Sequence, residues 1–205
     1  MRAPSPRWLV AGGLACLIAL GILAAGNWTP PLAALPTWLE AHAPWVIDGA
    51  RVLNVLGRGV VLVPLTIAIA VVLLMRRHRR WAAYVIGCGL AGLILVESIK
   101  ATLDRQRPAY ALLEEASGSF PSGHAASGIY CWVVFGLAAW CLLPRIGRAV
   151  GITALVVGVL LGPSRLVLGV HYWPDVLGGW AAGASVTLLA GAIVVGVRGG
   201  ARERG

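Results

Sequence analysis

Six uninterrupted apolar runs, about 8–26, 58–75, 81–101, 124–143, 149–167 and 176–197, divide this chain into segments long enough to cross a bilayer. In hydrocarbon every backbone N–H and C=O must be satisfied within the segment or its closed partners, so runs of this length and composition are expected to be helices. With 59% hydrophobic and 12% charged residues, the chain carries more apolar side chain than one soluble core of its size would use. The sequence therefore predicts an all-α integral membrane protein, a six-transmembrane-helix bundle that uses residues 1–205 as a single domain.

The net charge of +9 does not imply nucleic acid, because of where the charge lies. Arg2 and Arg7, the cluster Arg76, Arg77, Arg79 and Arg80, the pair Arg145 and Arg148, and Arg198, Arg202 and Arg204 all fall on one side of a six-span arrangement. By the positive-inside rule that side is cytoplasmic, with both termini on it. The other side collects Glu40, Asp48, Asp104, Glu114, Glu115 and Asp175, together with Lys100, Arg107 and Arg165. The first run follows two arginines and ends in Ala24-Ala25-Gly26, as a signal peptide would, but its apolar core from Trp8 to Ala25 is longer than a usual signal core. A retained first helix is expected.

Cys16, Cys88, Cys131 and Cys141 lie inside spans without metal-ligand spacing and read as small buried residues. Trp8, Trp28, Trp81, Trp140 and Trp173 fall near span ends, where interfacial anchoring puts them. Residues 27–57 begin with Pro30, Pro31 and Pro36. Leu35, Trp38, Leu39, His42, Trp45 and Val46 then recur at helical spacing among Glu40, Asp48 and Arg51, which predicts an amphipathic helix on the outer membrane surface. It reads equally as a lipid guide or as a structural cap, with His42 an exposed interfacial residue. The short linkers 76–80 and 144–148 make their flanking helices antiparallel neighbours.

Three polar strings interrupt this greasy pattern. Lys100 and Arg107-Pro108 flank the turn out of the third span; Pro121-Ser122-Gly123-His124 opens the fourth; Ser164-Arg165, His171 and Asp175 bridge the fifth and sixth. Charge at membrane depth is costly and usually marks a paired, cavity-lining or functional group. Lys100 and Arg107 suit the nonbridging oxygens of a phosphate, although an isolated pair of cations also snorkels to an interface, and Glu97 stands one turn before Lys100. Ser122 can cap a helix, and Gly123 lets N–H groups approach an anion; an ordinary helix start explains Ser122 but not His124, which is placed to move protons. His171 and Asp175, four apart, would share a helical face, so that the carboxylate orients one imidazole nitrogen and frees the other to attack. A buried His–Asp pair of purely structural use fits that spacing as well.

Together, in this order, the three strings resemble the signature of the type 2 phosphatidic acid phosphatase (PAP2) superfamily, whose relatives include membrane lipid phosphatases and soluble vanadium haloperoxidases. Every signature position between 100 and 175 matches. The resemblance implies a PAP2/haloperoxidase-like helical core and hydrolysis of a terminal phosphate on a membrane lipid such as a prenyl diphosphate, phosphatidic acid or phosphatidylglycerophosphate. It implies His171 as nucleophile forming a phosphohistidine, Asp175 as its orienter and His124 as acid and base. Lys100, Arg107, Ser122, Gly123 and Arg165 would hold the phosphoryl oxygens, with neither metal nor other cofactor required. The expected partner is a phosphorylated membrane lipid, met on the extracytoplasmic side. A lipid phosphotransferase using the same phosphohistidine and a non-catalytic lipid-binding or transport module are the alternatives, and six spans argue against haloperoxidase chemistry.

Overall fold

The computed structural model describes residues 6–26 and 33–202, with side chains described as far as residue 194. Arg2, Trp28, Pro30, Pro31 and Arg204 lie outside the described residues, as do the side chains of Arg198 and Arg202. The helices are α1 (Pro6–Ala25), α2 (Leu35–His42), α3 (Pro44–Leu56), α4 (Gly59–Met75), α5 (Arg79–Leu103), α6 (Gly123–Ser127), α7 (Val134–Leu142), α8 (Gly147–Val167) and α9 (Trp173–Arg202). A π-helical stretch, Gly128–Val133, joins α6 to α7, and the three together make one span. Among the described residues five spans are long and apolar enough to cross a membrane, or six if α3 and α4, bent by 50° between them, count as one span.

The amphipathic segment expected between the first two spans is realised as two helices, α2 and α3, because Pro44 starts a new helix directly after His42 and Ala43. Its apolar face is covered by protein: Leu39, Ile47 and Ala50 pack with Leu168 and Val170 beyond α8, and with Leu112 and Leu113 of the long loop. Trp38 and Trp45 stay exposed, as interfacial side chains do. Cys88 and Cys131 are buried as expected, whereas Cys16 is half-buried and Cys141 exposed, since the outer face of a bundle in lipid tolerates small apolar residues as readily as its interior does.

Membrane helices cannot draw on hydrophobic exclusion from one another, so they associate where small residues let backbones meet. α8 does this against the span preceding it. A Cβ on Gly128 would lie 2.1 Å from the Gly158 carbonyl oxygen, and one on Gly158 would lie 2.4 Å from that of Gly128. α1 lies along α9, where a Cβ on Gly13 would meet Leu189 at 2.7 Å.

Three inward stripes run along the helices toward one end of the bundle. On α5 the buried positions are Ala82, Val85, Cys88, Gly92, Val96 and Lys100; on α8 they include Gly151, Ala154, Gly158, Leu161 and Arg165; on α3 they are Ile47, Ala50 and Asn54. Each stripe keeps helical spacing and ends in a polar residue, so the periodicity that packs the core also carries Lys100, Arg165 and Asn54 inward.

Gly158→Ala should lower the melting temperature in detergent, because overpacking such a contact costs about 1–3 kcal/mol. Gly87→Ala, where a Cβ meets nothing within 4 Å, should leave it unchanged or slightly raised. Equal melting of the two variants would contradict the Gly128–Gly158 contact.

Candidate active site

The polar stripe ends converge with two loops at the carboxyl ends of α5 and α8 and the amino ends of α6 and α9. α5 is closed by Asp104 in a left-handed conformation, φ 36°, whose N–H bonds the Lys100 carbonyl. Beyond it burial alternates: Arg105 and Arg107 are partly buried while Asp104 and Gln106 are exposed. This stretch is tied to the returning loop by Ser119 N–H to Arg105 C=O at 2.8 Å and by Ser119 Oγ to Gln106 C=O at 3.1 Å.

The cations expected from the sequence come together. Lys100 Nζ donates to Ser117 Oγ at 3.0 Å. Arg107 spreads its fork over the same loop and the turn before α9, with Nε to Ser117 C=O at 2.8 Å, Nη1 to Val170 C=O at 2.9 Å and Nη2 to Gly118 C=O at 3.3 Å. Arg165, only 1% exposed, bonds the Asn54 side-chain oxygen through Nη1 and pairs with Glu115 through Nη2. Its Nε is buried without an acceptor among the described residues. Burial pushes the Glu115 carboxyl up, but the Arg165 guanidinium against it outweighs this and holds it below the usual carboxylate range.

Ser122 is fully buried and acts as the N-cap of α6, its Oγ accepting from Ala125 N–H at 3.4 Å. Gly123 stands near Lys100, whose Nζ would lie 4.0 Å from an added Cβ. His124 Nε2 lies 2.9 Å from the Asn54 carbonyl oxygen. A carbonyl can only accept, so Nε2 carries the proton and Nδ1 keeps its lone pair.

His171 and Asp175 meet, but not on a shared helical face: α9 begins at Trp173, leaving His171 in the turn before it. That turn needs Gly169, at φ 67°, between the buried anchors Leu168 and Val170. Asp175 Oδ2 accepts Tyr172 N–H at 2.9 Å and lies 3.4 Å from His171 Nδ1, which completes no hydrogen bond. On the other side of the ring, Nε2 is 3.3 Å from Arg107 Nη1. A guanidinium cannot accept, so Nε2 presents its lone pair toward the cations and Nδ1 carries the proton on the Asp175 side. Burial pushes the imidazole down to about 4, against the nearby Asp175 carboxylate, which pulls upward.

Four participants escaped the sequence reading. Asn54 links Arg165 to His124; Glu115 and Ser117 bind the cations; Arg105 reaches Asp175 Oδ1 at 3.2 Å. Asn54 could have been found as the polar end of an apolar helical stripe, and Arg105 by its two-residue offset from Arg107. Glu115 and Ser117 sit in an irregular loop and carry no local signal. Among the described residues no group of three His, Cys, Asp or Glu gathers to hold a metal.

A cavity of about 540 Å³ opens beside this cluster. Lys100, Glu115, Gly123, His124 and Arg58 line one end; Leu62, Ile67, Leu74, Ile86 and Leu90 of α4 and α5 line the rest.

Cations and histidines gathered at one end of an apolar helical bundle are the equipment of an integral-membrane protein that handles an oxyanion such as phosphate. The PAP2 superfamily profile matches residues 80–197, more than half of the chain, and the chain belongs to that superfamily as a phosphatase of the PAP2 type. It is 33% identical to phosphatidylglycerophosphatase B of Bacillus subtilis over 71% of this chain and 74% of that one. It is 40% identical to decaprenylphosphoryl-5-phosphoribose phosphatase of Mycobacterium tuberculosis over 64% of this chain and 68% of the relative. The crystal structure of a transmembrane PAP2-type phosphatidylglycerolphosphate phosphatase from Bacillus subtilis superposes with a TM-score of 0.77 at 28% identity, covering 90% of this chain and 96% of that one.

The His171 ring should titrate near pH 4 in the ligand-free protein, followed by NMR of histidine-labelled protein with His171→Gln as the assignment control. A midpoint near 6.5 would show an imidazole in water rather than in this buried pocket.

Proposed function

We propose that this chain hydrolyses the terminal phosphate of a membrane lipid phosphate or diphosphate through a phosphohistidine on His171. The observation that carries the reading is the cavity, which is polar where it meets Lys100 and His124 and apolar along α4 as far as Leu74. From Gly57 to Leu74 it follows α4 for roughly 25 Å at the helical rise per residue, a length that suits an acyl or prenyl chain. The phosphorylated headgroup would then stand among the cations while its chain stays in an apolar channel.

In the first step the His171 Nε2 lone pair forms a bond to phosphorus and the phosphorus–oxygen bond to the lipid breaks, with the leaving oxygen taking a proton from Nδ1 of His124, which takes up that proton from solvent when the anionic headgroup enters. In the second, His124 accepts a proton from water as that water attacks phosphorus, releasing inorganic phosphate and restoring His171. Lys100, Arg107 and Arg165, with the Gly123 N–H and Ser122, would stabilise the charge that builds on the phosphoryl oxygens. Arg165 Nε, which lacks an acceptor among the described residues, is one donor that such an oxygen would satisfy. Positioned cations take the place that a divalent metal has in many phosphatases, so activity is expected without one.

The named substrates of the two relatives above are a phosphatidylglycerol phosphate and a decaprenyl-linked phosphoribose phosphate, and an undecaprenyl-diphosphatase of Sulfolobus acidocaldarius is 28% identical over 65% of this chain. All are polyisoprenyl or diacyl lipids with a terminal phosphate, and that is the class proposed here. We place the site on the extracytoplasmic face and both termini in the cytoplasm, a reading supported by Arg76, Arg77, Arg79, Arg80, Arg145 and Arg148, which sit at the end of the bundle opposite the site.

Purified protein in EDTA should release phosphate from at least one of a C55 prenyl diphosphate, phosphatidic acid and phosphatidylglycerophosphate. His171→Ala should abolish release, and His124→Ala should lower it by about 10²- to 10⁴-fold. Substantial turnover by His171→Ala would refute the covalent route; transfer to an added lipid or sugar acceptor in preference to water would make the chain a phosphotransferase.

A further inference from the structure

We propose that Arg105 is a positioning residue, which holds Asp175 in place behind His171 and ties the end of the first span to the catalytic pair. This rests on the proposed role of His171 as nucleophile. Arg105 and Arg107 are both partly buried in the stretch after α5, but they do different work. Arg107 reaches His171 Nε2 and the loop carbonyls, whereas Arg105 Nη1 donates to Asp175 Oδ1 at 3.2 Å.

Asp175 is completely buried, and its other oxygen accepts the Tyr172 N–H at 2.9 Å. The Tyr172 amide and the Arg105 fork therefore hold one carboxylate oxygen each. An aspartate with both oxygens held cannot rotate away from the imidazole, which is what an orienting carboxylate requires. It also gains a fixed positive partner in a site where an unpaired charge would be costly.

The rest of the guanidinium is equally constrained. Nη2 donates to the Ala24 carbonyl at 3.0 Å, with the Leu23 and Gly26 carbonyls at 3.4 Å. The Leu23 and Ala24 carbonyls belong to the last turn of α1, and Gly26 follows it directly. The guanidinium also stacks on the ring of Phe120, with Cζ 4.5 Å from its centroid, and Phe120 is itself fully buried beside Gly178 of α9. Arg105 thus joins α1, the loop preceding α6, and the first turn of α9. Lysine offers a single point charge and could not serve the carboxylate and the helix end at once.

The test compares Arg105→Gln and Arg105→Lys with wild type, reading kcat and KM on one lipid phosphate in detergent and the NMR titration of His171. Arg105→Gln should lower kcat about 10- to 100-fold with KM within about threefold, the pattern of a misoriented catalytic group rather than lost substrate binding. Loss of the cation beside Asp175 should also move the His171 midpoint upward, because the carboxylate then attracts the imidazole proton against one opposing cation fewer. Arg105→Lys should hold that midpoint near the wild-type value and recover part of kcat. An unchanged kcat in Arg105→Gln, or a loss confined to KM, would overturn the proposal. So would equal kcat losses in both variants with an unmoved midpoint. Should Arg105→Gln fail to fold, Arg105→Lys decides: a several-fold kcat loss supports the role and wild-type kcat refutes it. His171→Ala keeps the two ideas apart, since turnover in that variant undermines the covalent mechanism whatever Arg105 does.

Discussion

Three cations share a small, poorly solvated volume at the ends of apolar helices, and the architecture around them is organised to make that tolerable. Lys100, Arg107 and Arg165 would repel one another and lose hydration energy if left bare. The loop between α5 and α6 answers with oxygen acceptors from Ser117, Gly118 and Glu115, while Val170 and Asn54 supply the remainder from other elements. Among the described residues only Arg165 of these three cations is paired with a carboxylate, that of Glu115, so the cluster remains electropositive, and Arg165 Nε has no acceptor there. An oxyanion is the ligand that completes such a set.

That cluster needs a frame that does not relax. Close backbone contact through Gly128 and Gly158 fixes the span bearing His124 against the span bearing Arg165, and Gly92 admits the Tyr130 ring between α5 and the π-helical stretch. Asn54 then joins the two halves of the site, accepting from His124 with its backbone carbonyl and from Arg165 with its side chain. His124 and Arg165 are thereby referred to the bend between α3 and α4, beside which the apolar part of the cavity begins. The polar cluster and the apolar cavity share that one corner.

The two histidines occupy different electrostatic niches. His171 is pressed between Arg107 and Asp175, and burial keeps it neutral well below its ordinary range, the state a nitrogen nucleophile needs. His124 faces the cavity and bonds to a carbonyl. This asymmetry, rather than the mere presence of two imidazoles, is what makes separate nucleophilic and proton-transfer roles chemically reasonable.

The amino-acid sequence by itself determined the membrane helices, because in lipid an apolar run of span length has no alternative to internal backbone bonding. It also marked Lys100, Arg107, His124, Arg165, His171 and Asp175, since charge placed at the ends of apolar runs stands out against them. Only the tertiary structure decided how they meet. His171 proved to precede α9 rather than share its face with Asp175, because a left-handed turn at Gly169 sends the chain back before the helix starts. The amphipathic segment divided into α2 and α3 and buried its apolar side on the turn beyond α8. Glu115, Ser117 and Arg105 gained their roles from contacts ranging from 10 residues, between Arg107 and Ser117, to 82, between Arg105 and Leu23. Local pattern reports which face of a helix is buried, but a hydrogen bond across the fold depends on where every intervening element comes to rest.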